Sequence, residues 1–162
     1  MSNKARDNLI NILCSECALY TEVLSLAKKK MEALAHNDTI RLKHIVSEFS
    51  SPLEKIDELE IKRKELIRSI SEQEHIPLAE LTLSRLASVW KEPRLETVKD
   101  ELRNVMVALK QVNEKSTLLI NQANKVYSNL RELLYSCLER PSGYNEQGKI
   151  ETSQGGYFEQ EV

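Results

Sequence analysis

The sequence predicts an all-α fold: an elongated antiparallel bundle of three long helices, with a short connector helix and a flexible C-terminal tail. Apolar residues step by three and four along three long segments, the spacing of one helix face. All four glycines (Gly143, Gly148, Gly155, Gly156) fall at the C-terminal end of the 162-residue chain, leaving the first 142 with none. Hairpins and phosphate-cradling loops need glycine at their turns, so both are disfavoured. Aromatics are sparse at 5% and charged residues abundant at 30%, as suits long amphipathic helices.

The first helix is expected over about 4–36. Ile10, Leu13, Cys17, Tyr20, Leu24, Ala27, Met31 and Leu34 keep the spacing without a polar interruption, and Leu9, Ile12, Leu19, Val23 and Leu26 widen the face. The pattern fades at Ala35-His36-Asn37, after which Asn37 or Asp38 can cap the next helix.

The second helix is expected over about 39–73, through Leu42, Ile45, Phe49, Ile56, Leu59, Leu66 and Ile70. Pro52 is the discordant seam member and predicts a kink or short break, because proline removes a hydrogen bond and crowds the preceding turn. Arg63, also on the seam, can lay its stem along the apolar face and place its guanidinium in water. The pattern lapses in a connector, 74–93, where Pro77 and Pro93 bracket room for one short helix. The single tryptophan, Trp90, is placed there to close one end of the bundle.

The third helix, about 94–138, has the most regular seam: Leu95, Val98, Leu102, Val105, Leu109, Val112, Ser116, Leu119, Ala123, Val126, Leu130, Leu133 and Cys137. A second line seven apart, Met106, Asn113, Ile120, Tyr127 and Leu134, runs beside it. Short connections favour antiparallel neighbours. At roughly 45 residues against roughly 30 for the first helix, its C-terminal end is expected to lack a full set of neighbours. Residues 1–140 thus form the helical body and 141–162 a tail, whose Gly, Ser, Gln, Asn and Glu cannot bury enough surface to order themselves.

Net charge is −2, and the tail holds four acids (Glu146, Glu151, Glu159, Glu161) against one base, Lys149. The body therefore has no basic surplus with which to neutralise a phosphate backbone, and nucleic acid is not an expected partner. The charged N-terminus does not read as a signal peptide, no unbroken apolar run reaches the ~18 residues of a membrane span, and a cytoplasmic protein is expected.

No catalytic constellation stands out, and neither an enzyme activity nor a cofactor is expected. Cys14 and Cys17 have the spacing of a redox or metal motif, but they lie inside a helix with no strand before them and no further ligands nearby. Glu58, Glu60 and Glu65 alternate with Lys55, Lys62 and Lys64 as on a solvated helix face. Lys28-Lys29-Lys30 reads as a solvated patch. Asn113, Asn121, Asn124 and Asn129 on one helix mark either ordinary exposed positions or a surface with polar contacts to make.

Leu19-Tyr20-Thr21-Glu22-Val23-Leu24-Ser25-Leu26-Ala27, the Leu59-Glu60-Ile61-Lys62-Arg63 segment, Val112-Asn113-Glu114-Lys115-Ser116-Thr117-Leu118-Leu119, Leu130 with Leu133-Leu134, and Tyr144 with Gly148 together resemble the FlgN family of flagellar type III export chaperones. Ser116 stands where that resemblance would place a second asparagine. The resemblance implies a cytoplasmic, non-enzymatic chaperone for hook–filament junction proteins, engaged through their C-terminal segments and delivered to the export apparatus. It also implies that the end of the third helix and the tail hold the client, which brings in Leu118 and Tyr144. On this reading Ile120, Tyr127, Leu130 and Leu134 supply an apolar edge, and Asn113, Asn121 and Asn124 fix orientation. The same edge would equally serve a structural coiled-coil or adaptor protein that forms a homodimer.

Overall fold

A computed structural model describes residues 3–138, and every element in it is helical: α1 (Asn3–Ala35), α2 (Thr39–Glu48), α3 (Ser50–Glu74), a 3-10 turn (Leu78–Glu80), α4 (Leu83–Trp90) and α5 (Pro93–Leu138). No strand occurs among the described residues. The chain divides into two compact units, Met1–Leu119 and Ile120–Val162.

In the first unit, α1 and α3 run antiparallel. Glu16 meets Arg63, Lys30 lies 5.7 Å over the Phe49 ring, and Leu9, Ile10 and Leu13 share one core cluster with Ile70. The start of α5 runs alongside α1 in the same sense. Arg94 lies 3.8 Å from Asp7, and Leu95 and Val98 join the cluster of Leu9 and Leu13. Leu86 and Ala87 of α4 complete that core, with Trp90 packed against it. One window of α1, within Lys4–Ala35, is apolar enough by length and composition to cross a membrane. Its apolar positions Leu9, Leu13, Val23, Leu26 and Ala27 are buried within the unit, and its Glu16 is ion-paired, as in the core helix of a bundle.

The helical stretch expected over 39–73 is divided at Phe49. Pro52 brings no N–H to the Glu48 carbonyl, so the ladder cannot continue through it. Phe49 stays in the α region (φ −69, ψ −27), and its N–H turns to the Val46 carbonyl at 3.3 Å. The break is a tightened turn, and Pro52 is buried in the first turn of α3.

With no glycine available, α1, α3 and α4 end on left-handed residues that carry side chains: Asn37 (φ 52), His75 (φ 52) and Lys91 (φ 51). In each case the following N–H reaches back to close the last turn: Asp38 to Ala33 O at 2.9 Å, Ile76 to Ser71 O at 3.2 Å, Glu92 to Ala87 O at 2.9 Å. Asp38 and Thr82 cap α2 and α4, their side-chain oxygens accepting from the Arg41 and Arg85 amides.

Candidate functional site

The first unit covers the α5 seam as far as Leu119. Leu95, Val98, Val112 and Ser116 are buried, and Leu102, Val105, Leu109 and Leu119 are half-buried. Ser116 fits this apolar line because it is small and its hydroxyl donates back to the Val112 carbonyl at 2.9 Å, leaving no polar group unpaired. On the exposed side of the same stretch, an open groove of about 640 Å³ is lined by Met106, Leu109, Asn113, Thr117 and Leu118 among others. Two of the expected partner-binding residues, Asn113 and Leu118, are therefore groove residues of the first unit, and Leu118 is 62% exposed.

In the second unit every described side chain through Ser136 is exposed. Ile120, Ala123, Val126, Tyr127, Leu130, Leu133 and Leu134 fall within an arc of about 140° at 100° per residue, and no polar residue interrupts that arc. Exposure of its large members runs from 44% at Ile120 to 74% at Tyr127. A soluble surface rarely leaves such a contiguous apolar strip open unless something binds it. The remaining positions between Asn121 and Ser136 are polar apart from Tyr135.

Four expected partner-binding residues, Ile120, Tyr127, Leu130 and Leu134, thus share one face, with Asn124 on its border. Asn121 lies farther round the helix, on the polar side. Tyr144 and the expected 141–162 tail lie outside the described residues. Sequence reasoning placed Val126 and Leu133 on the seam but did not name them among the partner-binding residues, although they are 59% and 61% exposed. Seam spacing marks a residue as fit for burial, and whether it is buried depends on what packs against it.

An ion-pair cluster stands at the start of α5. Glu92, buried, accepts from the Arg94 side chain at 2.8 Å (Nε to Oε1) and 3.0 Å (Nη2 to Oε2), with Arg6 Nε at 3.7 Å. The Arg94 hydrogen bonds hold its pKa down from 4.5 to about 2 against the opposing effect of burial. This cluster ties the start of α1 to the start of α5. Arg63 does not leave its guanidinium in water, as its sequence position led one to expect. It donates to Glu16, which is buried on α1.

Cys17 is half-buried, and burial, then Glu101 and Cys14, push its thiol pKa up, the reverse of an activated thiolate. Among the described residues no three His, Cys, Asp or Glu side chains gather as metal ligands would. The family model described as FlgN protein matches residues 1–152. No curated protein and no solved structure matches the chain.

Proposed function

The chain belongs to the FlgN family, a family of flagellar export chaperones and not of enzymes, and from that premise we propose that it holds hook–filament junction proteins in the cytoplasm and keeps them competent for export. The observation that carries the proposal is the exposed apolar arc from Ile120 to Leu134.

Such clients carry terminal segments that pair into coiled coils only after assembly. Before export their apolar stripes are free to aggregate. An amphipathic client segment laid on the arc would have its stripe covered in the helix-on-groove manner, while the rest of the client stays unfolded for passage. Large apolar side chains contribute about 1.5–3 kcal/mol each when fully buried. The arc's six, already part-covered by their own helix, can offer only part of that, and association has its own cost. That balance suits a hold that the export apparatus can release.

The test is co-elution of the full-length chain with a purified hook–filament junction protein. Binding by the wild type and none by a Val126→Glu, Leu130→Glu variant is the expected result. Binding by both, or by neither, overturns the proposal. Deletion from Ile120 onward removes the arc while keeping the buried Ser116 and the half-buried Leu119.

The second reading, an adaptor that dimerises through α5, draws on the same arc, beside which Arg131 is the nearest charge. Sedimentation of the chain alone separates the two, since the adaptor reading requires a tight homodimer.

A further inference from the structure

We infer that the arc is filled by two helices at once, supplied by a single client segment that folds back on itself as a helical hairpin. The inference rests on the chaperone reading above and deepens it.

The observation behind it is the width of the apolar face. In heptad terms Ala123 and Leu130 take one core column and Val126 and Leu133 the other. A third apolar column, Ile120, Tyr127 and Leu134, stands immediately beside them. A two-stranded coil buries only the first two columns, whereas a helix facing the interior of a bundle is apolar on three. One helix docked on the seam would leave the third column, 44–74% exposed in the free chain, still in water. A second helix beside the first would cover it and complete a three-helix core.

The flanks are consistent with that arrangement. Charges at the positions bordering a coiled-coil seam select its partner and direction. Here those positions hold Ile120, Tyr127 and Leu134 on one side and Gln122, Asn129 and Ser136 on the other, so neither border carries a charge. The nearest charge, Arg131, lies beyond the third column. Recognition is therefore left to apolar width. From Ile120 to Leu134 the arc is about 21 Å long, which matches two helices of roughly 15–18 residues joined by a short turn, a segment of about 40 residues. Helices that short are marginal in isolation, and a hairpin gives each one a second partner.

The test is calorimetric titration of the full-length chain with two synthetic peptides from the C-terminal segment of a hook–filament junction protein. One is a single amphipathic helix of about 18 residues, the other the whole stretch of about 40. The long peptide is expected to bind at least about tenfold more tightly. An Ile120→Ser, Tyr127→Ser variant should weaken the long peptide by about tenfold or more and leave the short one unchanged. If that variant binds the long peptide as the wild type does while Val126→Ser, Leu133→Ser loses it, one helix suffices; the hairpin is overturned and the chaperone reading stands. If the wild type binds neither peptide nor the full-length junction protein, both fall. A tight homodimer in sedimentation, dispersed by the Ile120→Ser, Tyr127→Ser variant, would place a second copy on the arc and overturn the hairpin.

Discussion

Arg63 reaches from α3 to Glu16 on α1, its Nε donating to the carboxylate oxygen at 2.9 Å, and Glu16 is only 4% exposed. A charge so covered depends on its partner. Removing one member of a buried pair costs about 3–5 kcal/mol, because the other is left uncompensated. Arg63 keeps 29% of its side chain in solvent, so water can partly replace it. Arg63→Ala is therefore expected to lower unfolding free energy by about 2–3 kcal/mol in urea titration. Glu16→Leu with Arg63→Leu should restore most of that loss, since packed apolar groups replace a buried pair at little cost. A double variant no more stable than Arg63→Ala would mean that the helices depend on the pair itself.

Glu92 makes stability depend on pH. Its folded pKa, about 2, lies below the ordinary 4.5, so the folded state favours the ionised carboxylate. The stabilisation is fully present above pH 4.5 and is lost as pH falls from there towards 2. Thermal unfolding of the wild type and of Glu92→Gln should differ at pH 6 and converge near pH 2. A gap independent of pH would show that Arg94 and Arg6 do not distinguish the carboxylate from the amide.

The three left-handed helix ends offer a third stability test. A side chain at positive φ costs about 1–2 kcal/mol relative to the right-handed region, and glycine escapes that cost while losing some chain entropy. His75→Gly and Lys91→Gly should each stabilise by roughly 0.5–1 kcal/mol, raising Tm by a few degrees. Asn37→Gly should gain less, because asparagine already tolerates the conformation. Equal gains at all three sites would show that side-chain identity does not matter there.

Much of the fold was legible in spacing alone, since apolar periodicity and the proline at position 52 are local properties of the chain. The left-handed ends were hidden because the usual marker, glycine, is missing and asparagine, histidine and lysine stand in its place. Arg63 was read correctly as a seam residue but given to water, because its partner lies 47 positions away. The site was legible in kind but not in extent. Val126 repeats the spacing of Val112, and spacing alone does not say at which residue burial gives way to exposure.

That pair belongs to a series in which one residue type samples every degree of cover. Val98, Val105, Val112 and Val126 stand in one heptad column of α5, the first and third buried, the second half-buried and the last 59% exposed. Replacing each by Asp holds the chemistry and the helix propensity change constant, so differences between the variants report burial. An unpaired carboxylate at a buried site costs several kcal/mol, whereas an exposed substitution stays within about 0.5 kcal/mol beyond its helix-propensity cost. Val98→Asp and Val112→Asp should unfold the protein or lower its Tm steeply, Val105→Asp should fall between, and Val126→Asp should scarcely move it. The last variant should also bind less of a hydrophobic dye, because its charge interrupts the exposed arc. If Val126→Asp instead destabilised the isolated chain as much as Val112→Asp, the arc would be covered in solution, and a binding role for it would lose its physical footing.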